Sequence, residues 1–175
     1  MKINPQVIYG AIALVCIIIT NLWHAEANIS QLHWLLAPTS TVLSWLLGED
    51  AIYRSGEGYH FLNANIILGK TCSGFTFLLL MVCILFYHFH RQYRPIYAKL
   101  LFLAILISIS FPATILVNTS RILVGLVGQQ VGSQFLGDQP HLVLHEVIGL
   151  FMYIAGLVVA YHLMRWIYKN NISHA

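Results

Sequence analysis

Four apolar runs, at residues 7–23, 74–90, 99–117 and 142–165, set the terms for any fold this chain can adopt. Each is nearly free of Asp, Glu, Lys and Arg. A helix needs about 20 apolar residues to cross a hydrocarbon layer of about 30 Å. Composition agrees: 58% of the 175 residues are hydrophobic and 9% charged, against about 25% charged in soluble domains. The expected fold is therefore a single all-α membrane domain, residues 1–175, of about four transmembrane helices. A net charge of +3 is too small to suggest a nucleic-acid partner. The three cysteines cannot all pair, and Cys16 and Cys83 fall inside apolar runs, so no disulfide framework is implied.

Ala25-Glu26-Ala27 has the small-residue pattern of a signal-peptidase site. The first apolar run is long for a signal peptide, however, and Trp23 suits an interfacial anchor. A retained anchor is the preferred reading. In 28–48, Pro38 and Thr39-Ser40-Thr41 interrupt an apolar pattern, which predicts a helix broken at Pro38 and lying in the membrane interface. Ile52-Tyr53 and Tyr59-His60-Phe61 flank Arg54-Ser55-Gly56-Glu57-Gly58, a pattern for a β-hairpin. Asn65-Ile66-Ile67-Leu68-Gly69 can extend it. The third run is expected to end near Val117, with a polar link at Asn118-Thr119-Ser120-Arg121 and a separate turn-helix from Ile122 to Gly128.

Charge orients this topology. With a cytoplasmic N-terminus and four spans, Lys2, Arg91, Arg94, Lys99, Arg165 and Lys169 lie inside, and Arg54, Lys70 and Arg121 outside. That excess obeys the positive-inside rule. The acids Glu26, Glu49, Asp50, Glu57, Asp138 and Glu146 then lie outside too. Residues 24–73 and 118–141 become extracytoplasmic segments of a cell-membrane protein.

Cys72 then stands at the outer mouth of the second span, in Thr71-Cys72-Ser73-Gly74-Phe75. Thr71 or Ser73 can cap the first turn, and the positive end of a helix favours a thiolate. Arg121 follows the third span, and His145 stands near the start of the fourth. A histidine can take the thiol proton and return it to a leaving amine. An arginine can hold an oxyanion, and beside lipid it is costly without a partner or a task. His145, Gly149, Met152 and Gly156 share one helical stripe, whose glycines permit close helix approach. His141, four residues before His145, is the alternative base.

Cys72-Ser73-Gly74 at a helix mouth, Asn118-x-x-Arg121 downstream and His145-x-x-x-Gly149 opening the last helix resemble the exosortase/archaeosortase family of multi-pass cysteine transpeptidases. The resemblance covers roughly residues 30 to 165, and the short length is similar to compact exosortases of the exosortase K kind. It implies Cys72, Arg121 and His145 as catalytic residues, with Asn118 and Ser73 orienting them by hydrogen bonds. It implies no cofactor. Substrates would be exported proteins with a C-terminal sorting signal: a short motif, an apolar helix and a basic tail.

Other readings compete. His141 and His145 have metal-ligand spacing, but no His-Glu-x-x-His pattern is present, and no metal is expected. Nine histidines suit a haem bundle poorly, because His88, His90 and His162 fall on the inner side and His141 and His145 on the outer. A small multi-pass transporter or channel without catalysis is the main alternative, although spans two and three carry few mid-membrane ionisable residues. In intact cells, a membrane-impermeant maleimide should modify Cys72 from outside and spare Cys16 and Cys83. Labelling of Cys72 only from the cytoplasmic side would overturn the orientation.

Overall fold

A computed structural model describes residues 5–89, 95–136 and 141–172; the side chains of 5–9, 12, 13, 129–136, 141–146, 171 and 172 lie outside that description. The chain is mostly helical, with one small sheet. In order come α1 (Pro5–Glu26), a 3-10 turn (Ile29–Leu32), α2 (His33–Leu47), β1 (Ile52–Arg54), β2 (Gly58–Phe61), β3 (Ile66–Leu68), a second 3-10 turn (Lys70–Cys72), α3 (Phe75–Phe89), α4 (Ile96–Leu136) and α5 (His141–Ile172). Among the described residues, three helical stretches are long and apolar enough to cross a membrane: Lys70–Phe89, Ile96–Gly128 and Val147–Asn170. In α1 the described apolar stretch is Leu14–Glu26, which is shorter than a membrane span requires. Lys2, Arg91, Arg94 and Asp138, used in the charge argument, lie outside the described residues.

The predicted hairpin is present and enlarged. β1, β2 and β3 form an antiparallel sheet in that order, with Tyr53 opposite Tyr59 and Tyr59 opposite Leu68. Gly58 has φ +110°, and a Cβ there would strike the Leu68 carbonyl of β3, so only glycine fits. The Glu49 carboxylate accepts from the backbone N–H of Asn63 (2.6 Å) and Ala64 (3.1 Å), fixing the β2–β3 turn. β3 then feeds directly into the turn that carries Cys72.

Two expectations are corrected. Helix α2 is not broken at Pro38 but runs through it. Pro38 removes one backbone bond, at a cost of about 3 kcal/mol or more in a helix interior. Hydroxyl bonds from Thr39 to Leu35 O (2.8 Å), and from Ser40 (2.8 Å) and Thr41 (3.0 Å) to Ala37 O, tie the surrounding carbonyls. Burial of Leu35, Leu36, Thr39, Ser40 and Leu43 holds the helix together across the proline.

Nor does the third apolar run end at Val117. Helix α4 continues without interruption to Leu136, passing through both Pro112 and Asn118-Thr119-Ser120-Arg121. The polar cluster that suggests a loop is instead an inward face. Asn118 and Thr119 are buried, and the Ser120 hydroxyl returns to Leu116 O at 2.8 Å. Polar residues can stay helical inside a bundle when other elements supply their partners.

Two apolar clusters hold the site between them. One joins Ala27, Leu32, Leu36, Leu43, Phe61, Leu68 and Ile122, with Cys72 and Phe75 packed on its edge. The other joins Phe77, Met81, Leu85, Phe89, Phe102 and Leu106, with Tyr153 and Tyr161 against it. Large apolar side chains cover the outer faces, among them Leu100, Leu101, Leu116, Phe151 and Val159, a surface compatible with lipid contact. Close packing in the second cluster seats α3 against α4 and α5; between helices in lipid such packing gains by van der Waals contact rather than by transfer from water.

Candidate active site

Cys72 ends the 3-10 turn that precedes α3. Its thiol is partly exposed and lies 3.9 Å from the Thr71 hydroxyl. Gly74, at φ +73°, makes the bend from this turn into the helix. A Cβ on Gly74 would press on Thr114 and Asn118 of α4, at 3.1–3.3 Å. The motif needs glycine for its conformation and for the close approach of α4.

The backbone around Cys72 is held by α4. Asn118, fully buried, donates from Nδ2 to the Cys72 carbonyl at 2.5 Å. Arg121, one turn further along, donates from Nη1 to the Thr71 carbonyl at 3.4 Å. The two carbonyls bracketing the Cys72 Cα are thus bonded by residues three apart on one helical face.

Arg121 has further constraints. Its Nη1 also donates to the Tyr153 hydroxyl at 3.0 Å, and its Cζ lies 5.1 Å from the Tyr153 ring centroid. The Tyr153 hydroxyl donates in turn to Asn118 Oδ1 at 3.2 Å. The Arg121 Nε–H is buried without a hydrogen-bond partner among the described residues. A Cβ at Gly149 would sit 2.6 Å from that Nε. Glycine at 149 therefore makes room for the guanidinium, a more specific role than general helix packing. Gly156 does the same for Phe77 and Val117, which a Cβ would approach to 3.1 Å.

Ser73 is buried and faces the end of α1. Its Oγ lies 3.3 Å from His24 Nε2 and accepts from the Phe75 N–H at 3.4 Å. The His24 ring stacks on Phe75, with centroids 4.9 Å apart and planes within 3°. Lys70 Nζ donates to Ala25 O at 2.7 Å. The first helix is thereby fastened to both sides of Cys72.

No protein-family profile, curated protein or solved structure matches the chain. Function has to be argued from this geometry and from the sequence motifs.

The structure therefore brings Cys72, Ser73, Asn118 and Arg121 together. His141 and His145 belong to the first turns of α5, but their side chains lie outside the described residues. No group of three or more His, Cys, Asp or Glu suited to a metal ion occurs among the described residues. Two participants escape the sequence reading. Tyr153 stands four residues after Gly149, so helical spacing alone could have found it. His24 carries no such signal, because only the fold brings α1 to the Cys72 turn. Below the site, α3, α4 and α5 enclose an apolar groove of about 400 Å³. Its lining includes Val117, Ser120, Met152 and Gly156, which neighbour the site residues in sequence.

If Gly149 serves the guanidinium, Gly149→Ala should cost about 1–3 kcal/mol in detergent unfolding, as overpacking does. The cost should largely vanish in an Arg121→Ala background. Equal costs in both backgrounds would show that Gly149 serves helix packing instead.

Proposed function

We propose that this chain is an integral-membrane cysteine peptidase or transpeptidase of the exosortase kind, with four spans that include α1 and its site outside the cytoplasm. The observation that carries the reading is the double hold on the Cys72 backbone by Asn118 and Arg121. It ties the backbone beside a partly exposed thiol to a constrained arginine whose Nε–H has no partner among the described residues. A nucleophilic cysteine needs a base or a cation in its neighbourhood. A partly buried guanidinium with a spare donor suits a developing oxyanion.

In the proposed reaction, His145 removes the Cys72 proton and the thiolate attacks the scissile carbonyl. A C–S bond forms as the carbonyl electron pair moves to oxygen, where Arg121 stabilises it. Collapse of this intermediate breaks the C–N bond, and His145 passes its proton to the leaving amine. An incoming amine or water, deprotonated by His145, then attacks the thioester and restores the thiol. His141 remains the alternative base. The substrate class is an exported protein whose C-terminal signal combines a motif, an apolar helix and a basic tail. The apolar groove below the site suits an apolar segment ending near Cys72.

A transporter reading would draw on the buried polar stripe Ser110, Thr114 and Asn118 of α4. However, Thr114 Oγ1 is bonded to Ser110 O at 2.7 Å, and Asn118 to Cys72 O and Tyr153. Those bonds occupy Thr114 and Asn118; the Ser110 hydroxyl is buried without a hydrogen-bond partner among the described residues, which leaves an isolated polar group rather than a continuous transport path.

Co-expression with a tailed substrate separates the two. Cys72→Ala should abolish processing, His145→Ala should lower it about 10²–10⁴-fold, and Arg121→Ala about 10²–10³-fold, each with normal membrane insertion. Processing that survives in Cys72→Ala would refute the mechanism. A larger loss in His141→Ala than in His145→Ala would move the base to His141.

A further inference from the structure

Four side-chain hydrogen bonds form one continuous path around Cys72. It runs from Thr71 O to Arg121 Nη1, on to the Tyr153 hydroxyl, then to Asn118 Oδ1, and from Asn118 Nδ2 to Cys72 O. Its ends are the carbonyls on either side of the Cys72 Cα. Its middle is a single hydroxyl contributed by α5. We propose that Tyr153 is a positioning residue for the site, orienting Arg121 and Asn118 and through them the Cys72 turn. This rests on the reading of Cys72 as a nucleophile served by Arg121.

The geometry assigns the hydroxyl two tasks that no other group on the path performs. For Asn118, the amide can present Nδ2 to the Cys72 carbonyl only with Oδ1 turned the opposite way. Asn118 is fully buried, so Oδ1 needs a donor inside the protein. Tyr153 supplies it, which selects one of the two amide orientations. For Arg121, the long side chain would otherwise be free to snorkel toward head groups. The hydroxyl accepts from Nη1 at 3.0 Å while the ring lies against Cζ at 5.1 Å. The ring is itself held by Phe77, with centroids 5.1 Å apart. Phenylalanine at 153 would keep the ring contacts and lose both hydrogen bonds, so Tyr153→Phe isolates the hydroxyl.

The test uses the purified full chain in phosphatidylethanolamine/phosphatidylglycerol vesicles and iodoacetamide as the probe. Alkylation of Cys72 is followed against pH by peptide mass spectrometry, with Cys83 as the internal reference. Tyr153→Phe should raise the pH midpoint of Cys72 alkylation by about one unit, because the thiolate loses an oriented cation, and leave Cys83 unchanged. Asn118→Leu should also raise it, and the double variant should add less than the sum of the two. A residue that merely packs would expose Cys72 and Cys83 together and leave the midpoint in place. An unchanged midpoint in Tyr153→Phe, or fully additive shifts, would overturn the proposal. Should Tyr153→Phe fail to insert, an unchanged midpoint in Asn118→Leu overturns it as well. No substrate enters this measurement, so its failure is separate from failure of the peptidase reading, which the Cys72→Ala processing assay decides.

Discussion

A guanidinium held between apolar helices is the interaction on which the rest of this structure depends. An arginine in an apolar surrounding is costly, and stays only where partners or a task hold it. Here Arg121 reaches out of α4 to the Thr71 carbonyl and the Tyr153 hydroxyl. These bonds tie the turn before α3 to α4 and α5. Gly149 has no side chain because the guanidinium occupies its space. Gly74 bends the Cys72 turn and, lacking a Cβ, lets Asn118 come close. The sheet, through Phe61 and Leu68, and α2, through Leu36 and Leu43, then pack with Ile122 of α4 into the cluster on whose edge Cys72 sits. A partly exposed thiol is left with its backbone fixed from below.

Such an arrangement separates rigidity from access. The carbonyls flanking Cys72 are bonded and Ser73 is buried. Among the described residues the thiol's hydrogen-bond contact is a long one, to the Thr71 hydroxyl at 3.9 Å. Fixing a nucleophile through its backbone keeps its side chain available, which near-attack geometry requires. The proposed peptidase chemistry builds on this: an available thiol on a fixed backbone, a cation whose Nε–H has no partner among the described residues, and a histidine-bearing helix start. His24 adds a contact from a fourth helix, through Ser73 and Phe75.

Periodicity and turn chemistry made the frame legible in the sequence. The apolar runs marked the helices, and the glycine-centred turn at 55–58 marked the hairpin. What stayed hidden has a common cause. Pro38 and Asn118-Thr119-Ser120-Arg121 both look like breaks, since proline and clustered polar residues end helices locally. The helices continue for different reasons: hydroxyl bonds within the helix and a buried stripe carry α2 through its proline, and carbonyls from the Cys72 turn satisfy the polar face of α4. Cys72, Arg121 and Asn118 could be chosen by their chemistry. Tyr153 resembled any interfacial aromatic, and its hydroxyl acquires a role only once α4 and α5 are packed.

The central claim is that Cys72 becomes covalently attached to its substrate. Intact-protein and peptide mass spectrometry after co-expression with a tailed substrate tests this most directly. A thioester adduct on Cys72 is expected, released by hydroxylamine and absent from Cys72→Ala. Substrate cleaved in full while Cys72 stays unmodified, including under acid quench of early time points, would contradict it.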